Sequence, residues 1–177
     1  IQVWDPLKQL IVNWFQLGIE KVSGFTNYKN MIYSSVRKNG KWGIMEFIYS
    51  NEKIYYRDFY HRDDINDIVK IVSFEENIIL HTNQGLIAGN PHKEHPLYWT
   101  NPFPNITGDI QAINTNNNSL AIISSDAIYS IKVGGAPEVL VRDNSNLSSI
   151  NYIELKGDQD IYAISDSVLF DISTDRF

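Results

Sequence analysis

The chain contains no cysteine, which excludes a disulfide framework, a thiolate metal site and a cysteine nucleophile. No apolar run approaches the roughly 18 residues of a membrane span, and the first residues lack the basic-then-apolar order of a secretory signal. Positive charge is not in excess either. Fifteen Lys and Arg stand against 21 Asp and Glu, a net charge of -6, which argues against holding nucleic acid or anionic lipid by bulk charge. Also missing are a phosphate-cradling loop, a dinucleotide fingerprint, an H-E-x-x-H pair, an EF-hand loop and a G-x-S-x-G elbow. What is present is a globular composition, 43% hydrophobic and 20% charged over 177 residues, enough for one folded domain or a piece of a larger one. The chain opens on Ile1 rather than Met, as a fragment or a processed chain would.

The strongest pattern is internal repetition. Ile78–Ile87, Leu120–Tyr129 and Ile161–Phe170 each read as an apolar strand, a short Ser, Thr, Asn or Asp turn, and a second apolar strand, which is the grammar of a tight hairpin. The copies begin at Ile78, Leu120 and Ile161, recurring about every 42 residues. A further apolar stretch precedes each one at Ile68–Ile71, Ile110–Ile113 and Ile150–Ile153, and outer strands are expected at Leu97–Trp99 and Glu138–Val141. The N-terminal third carries a divergent version in which Asn39-Gly40, suited to a type I′ turn, joins Met31–Val36 to Trp42–Ile48, with Ile54–Tyr60 as an outer, half-exposed strand.

Units of four strands and about 40–45 residues are the size of a propeller blade. The expected fold is therefore all-β and β-propeller-like, with about four four-stranded blades, standing alone or as part of a larger propeller. Approximate blade limits are 1–60, 61–104, 105–145 and 146–177. A generic sandwich or barrel is the alternative, and it would not require a fixed long period. Residues 5–18 admit two readings, a short helix after Asp5-Pro6 or a strand over Leu10–Phe15, and the β context favours the strand.

Chemistry-bearing residues are few. His92 and His95 flank Glu94, a cheap zinc-like spacing, but four prolines between Asn90 and Pro104 make the segment a loop, where exposed histidines are the simpler reading. His61 stands near Asp58, Asp63 and Asp64 without a nucleophile beside it, as a solvated charged turn would. Asp158, Asp160, Asp166, Asp171 and Asp175 are read as turn carboxylates. No catalytic set, metal or cofactor is implied, and a non-enzymatic protein is expected. Trp14, Trp42 and Trp99 fall in or beside strands and should be mostly core. If any aromatics are exposed they are Tyr98, Trp99 and Phe103 in the Pro-rich loop, and with His92 and His95 these are the interaction candidates.

The order of motifs also resembles a family. Asn13-Trp14-Phe15, Met31-Ile32-Tyr33, Val36–Lys41, Ile44-Met45-Glu46-Phe47, Gly89-Asn90-Pro91, Leu97–Pro104, Ala127–Ile131 and Gly134–Pro137 are similar to a series in the β-propeller regions of tail nozzle, packaged-DNA stabilisation and tail hub proteins of short-tailed bacteriophages. The resemblance implies a structural virion component in the tail. It would assemble as a homo-oligomeric ring with other tail or portal proteins, and DNA would pass nearby without specific binding. A second expectation, of another class, is an extracellular or periplasmic recognition propeller that binds glycan or peptide.

Overall fold

The computed structural model describes residues 2–5, 10–14, 17–51, 53–142, 147–156, 160–165 and 169–173. Among them the chain forms antiparallel sheets in strict sequence order. A small one pairs β1 (Gln2–Asp5) with β2 (Leu10–Trp14), so the helical option for this region is not realised and the strand is. The first large sheet runs β3 (Ile19–Tyr28), β4 (Met31–Lys38), β5 (Lys41–Ser50) and β6 (Lys53–His61). The second has β7 (Ile68–Phe74), β8 (Asn77–Thr82) and β9 (Gly85–Gly89). The third has β10 (Ile110–Thr115), β11 (Ser119–Ser124), β12 (Ala127–Lys132) and β13 (Glu138–Arg142). The fourth has β14 (Ile150–Lys156), β15 (Asp160–Ser165) and β16 (Leu169–Ser173).

Why these segments become stacked sheets is visible in their middle strands. β8 and β11 are apolar on both faces and buried on both, as strands must be when a sheet is covered on each side. Alternate residues therefore serve different interfaces. Ile78 and Leu80 pack against Tyr33, Trp42 and Ile44 of the first sheet, while Ile79 packs against Ile113, Ile122 and Tyr129 of the third. Ala121 and Ile123 pack against Ile153, Ile161 and Ala163 of the fourth. Each fully buried Ile or Leu is worth about 1.5–3 kcal/mol, so successive sheets hold one another in place. The first strands β3, β7, β10 and β14 lie beside one another in turn, which fans the sheets out from one axis, with β6 and β13 at the outside. Lys70 on β7 reaches Tyr152 on β14, its ammonium 5.5 Å from the ring centroid.

Local devices repeat with the sheets. Each first strand carries a bulge near its start, at Glu20, Val69, Gln111 and Asn151, with a second in β3 at Ser23, which raises the local twist where the strands crowd together. Just past the last three bulges, His81, Ile123 and Ile164 occupy the same register position, paired with Lys70, Ala112 and Tyr152. The Asn39-Gly40 turn has positive φ at both residues, 52° and 76°, as a type I′ turn demands.

Two differences from expectation matter for the site. Glu138–Arg142 is the outer strand of its sheet, but Leu97–Trp99 is not a strand. Pro96 starts a short 3-10 turn through Tyr98, and only Thr100 reaches the second sheet, exchanging backbone hydrogen bonds with Ala88 at 2.8 and 3.2 Å. The fourth sheet differs from the third in the exposure of one row of side chains within this chain. Tyr152, Ile164 and Leu169 are direct cross-strand partners and are 45%, 39% and 64% exposed. The matching row of the third sheet, Ala112, Ile123 and Ile128, is buried.

Candidate functional site

Where the fourth strand of the second sheet would run, the chain instead loops out between Gly89 and Thr100 and forms a wall facing the first sheet. The cleft between them has a volume of about 290 Å³ and is lined by Tyr33 of β4, Glu46 of β5, Tyr60 of β6, and Pro91, His92, Lys93, Glu94, His95 and Pro96 of the loop. Strand alternation puts Glu46 here. Met45 and Phe47 pack on the far face of the first sheet, so the residue between them points toward the second.

The loop is shaped by short-range polar contacts. Asn90 is buried. Its side-chain oxygen accepts from the His92 N–H at 2.9 Å, an Asx turn, and its carbonyl accepts from the Lys93 and Glu94 N–H groups at 3.0 Å. Lys93 is committed to Glu76 at 2.8 Å, and the Glu94 carboxylate accepts from the Asn90 N–H at 3.4 Å. His95 caps the 3-10 turn, its Nδ1 accepting from the Leu97 N–H at 3.3 Å. The far end is pinned by Trp99, whose carbonyl accepts from Arg62 at 2.7 Å while Arg62 also makes a two-pronged contact with Asp64.

At the floor, Glu46 is 4% exposed. Both of its polar contacts are to Oε2, from the Tyr60 hydroxyl at 3.3 Å and from Arg57 Nε at 3.5 Å. No contact to Oε1 is made among the described residues. The Tyr33 hydroxyl, also buried, lies beside the Glu46 carboxylate and acts on it without the close geometry of a direct hydrogen bond, and it has no other partner among the described residues. Burial first, and then the charges of Glu46 and Asp58, push the Tyr60 phenol up to about 12. The Tyr33 phenol is raised further, again chiefly by burial, next by the Glu46 charge and by its proximity to that carboxylate. Tyr60 and His95 meet edge to face, with centroids 4.7 Å apart and planes at 88°, and His92 lies 5.3 Å from Tyr28.

The interaction candidates thus separate. His92 and His95 are exposed loop residues that line the cleft. Tyr98 is 73% exposed and stands 6.3 Å from His95. Trp99 is not exposed. It is 2% accessible and sits in the core between the first and second sheets, because the indole fills the space over Gly89. Phe103 is likewise half-buried, against the core between the second and third sheets. No three His, Asp or Glu side chains among the described residues converge to hold a metal ion. His61 and Asp63 form an exposed cluster with Lys41. Asp158, Asp166 and Asp175 lie outside the described residues.

Sequence reasoning missed Glu46, Tyr33 and Tyr60 as one group. The available signal was a lone carboxylate inside the apolar run of β5. A larger recess of about 670 Å³ opens between the second and third sheets, lined by His81, Thr82, Asn83, Gly108, Asp109 and others. Several of its polar groups already serve the fold. His81 Nε2 donates to the Ile110 carbonyl at 3.0 Å, and Asn83 accepts from the Asn66 and Asp67 N–H groups. The smaller cleft is the one with a buried carboxylate and a buried phenol at its floor.

No protein-family model and no curated protein sequence matches the chain. Similarity appears at the level of structure. A crystal structure of a protein from Lactobacillus plantarum aligns with a TM-score of 0.61 at 11% identity, over 96% of this chain and 60% of the other. Hsv2 of Kluyveromyces lactis aligns with a TM-score of 0.61 at 11% identity, over 99% of this chain and 57% of the other. The chain therefore spans less than two thirds of the length of either. No membrane-crossing helix occurs among the described residues. The likenesses extend to the β-propeller fold alone, and nothing in them connects the chain with phage tail proteins. Three of the motifs behind that resemblance, Met31–Tyr33, Val36–Lys41 and Ile44–Phe47, lie in the paired strands and turn of one hairpin. The all-β, propeller-like architecture read from the repeats is the architecture found.

Proposed function

We propose that the chain is a non-catalytic recognition propeller that holds a peptide segment of a partner in the cleft between its first and second large sheets. The observation that supports this is the pairing of a rigid floor with a loop wall. Tyr33, Glu46 and Tyr60 project from neighbouring strands of one sheet, while the wall is a loop held to the body by its ends, by Lys93 on Glu76 and by the ring contacts of His92 and His95. Sites with positions fixed by a sheet and specificity supplied by a loop suit binding. A peptide is favoured over a glycan because the floor offers a desolvated carboxylate whose one ion pair, with Arg57 at 3.5 Å, engages a single oxygen. The tail-component reading draws on short motifs, and the cleft favours recognition over ring assembly. The test is a peptide and glycan array probed with the purified chain and with Glu94→Trp, which plugs the exposed rim of the cleft. Peptide hits lost in Glu94→Trp support the reading. An array without hits, or hits indifferent to the plug, overturns it.

A further inference from the structure

We infer that the cleft takes a primary alkylammonium group, such as a lysine side chain, with Glu46 Oε1 as its counter-charge. This inference rests on the recognition reading and adds the ligand class.

A carboxylate removed from water is costly unless paired and hydrogen-bonded. Glu46 is 4% exposed, and Arg57 and Tyr60 both satisfy the same oxygen, Oε2. Neither of those contacts uses Oε1, and the Tyr33 hydroxyl, buried and close enough to act on the Glu46 carboxylate, lacks a partner of good hydrogen-bond geometry among the described residues; both residues line the cleft. An ammonium has three donors and no acceptor, so it can give one hydrogen bond to Oε1 and one to the Tyr33 oxygen.

Charge selects the same class. The ionisable groups lining the cleft include two carboxylates, Glu46 and Glu94, and one ammonium, Lys93, already held by Glu76 at 2.8 Å. Arg57 pairs with the other carboxylate oxygen and is not a lining residue. An incoming anion would face two carboxylates, and a neutral ligand would strip water from Oε1 and return no charge.

The walls suit an alkyl stem that carries a cation. Tyr60 and His95 are set at 88° to each other, giving a corner of ring faces and edges against which methylenes pack and an ammonium is attracted to the tyrosine face. The volume, about 290 Å³, lies at the lower limit of about 300–1,000 Å³ for small-molecule pockets, the size for one side chain.

The experiment uses n-butylammonium as probe, with 1-butanol and acetate as neutral and anionic controls, followed by NMR shifts of aromatic and backbone signals in the whole chain. Expected is saturable movement of Tyr33, Tyr60 and His95 signals with butylammonium and none with either control. Glu46→Gln should weaken that binding about tenfold or more, the loss expected for a charged hydrogen bond. Tyr33→Phe, which removes one oxygen and keeps the ring, covers the case in which Glu46→Gln fails to fold, and should weaken binding several-fold. Equal movement with 1-butanol, preference for acetate, or butylammonium binding unchanged in Tyr33→Phe overturns the inference. Array peptides that occupy the cleft without a lysine or a free amino terminus would overturn it while leaving the recognition reading in place.

Discussion

A methyl group added to Gly89 would overlap the indole of Trp99. The two residues belong to opposite ends of the loop that walls the cleft, and their contact brings Thr100 within hydrogen-bonding reach of Ala88. Gly89→Ala should therefore destabilise the protein by about 1–3 kcal/mol, as overpacking does, and lower the melting temperature by several degrees in a thermal scan. Trp99→Phe should be far milder than Trp99→Ala, which costs about 3–5 kcal/mol. The indole N–H has no partner among the described residues, so the difference between the two variants measures ring packing.

Ser124 anchors a hairpin turn from inside the core. Its oxygen accepts from the Asp126 N–H at 3.2 Å and the Ala127 N–H at 3.1 Å, and its hydroxyl donates to the Ala127 carbonyl at 3.3 Å. Ser124→Ala leaves these groups without that partner and should cost about 1–3 kcal/mol by urea denaturation, with an unchanged slope. Thr82 has the same role in the preceding sheet, accepting from the Gln84 N–H and donating to the Gly85 carbonyl.

His81 makes stability depend on acidity. Burial lowers its basicity in the folded state, opposed by the Ile110 carbonyl and Asp67 and reinforced by Lys70. With the folded value below the unfolded one of about 6.5, the unfolded chain binds the extra proton first as pH falls. The contribution of His81 is thus complete above that value and declines below it. Denaturation midpoints measured from pH 7.5 to 5 should fall, and His81→Gln should remove some of that slope.

On the alkaline side the sign reverses. Tyr33 and Tyr60 keep their protons longer when folded, so stability should decline as pH rises above about 10, where unfolded tyrosine ionises. Tyrosinate absorbance should show late-titrating groups in the native protein. In Glu46→Gln they should titrate earlier, yet still above ordinary tyrosine, because burial is the larger cause. Unchanged titration in that variant would show that the carboxylate does not act on the two phenols.

Much of this was legible in the chain because the same demand is met several times. A sheet covered on both sides needs uninterrupted Ile and Leu, which is why Ile78–Leu80 and Leu120–Ile123 announced themselves, and Asn39-Gly40 named its own turn. The site was less visible. Glu46 reads as an ordinary charged residue until β5 is known to be covered on both faces. Trp99, set among prolines, reads as exposed because no local pattern reveals the space above Gly89. Tyr98, one residue earlier, faces solvent as its loop setting implies. Neighbouring residues with similar side chains took opposite fates through a contact ten positions away, information that periodicity does not carry.

Ile123 and Ile164 occupy equivalent places in adjoining sheets, one 0% and the other 39% accessible. Lysine at the first would bury an ammonium among hydrocarbon and dismantle the packing of two blades. At the second the side chain is partly accessible, and the same substitution should cost far less. Equal places in the register thus tolerate charge very differently, because tolerance follows what packs on each face and not the position in the repeat.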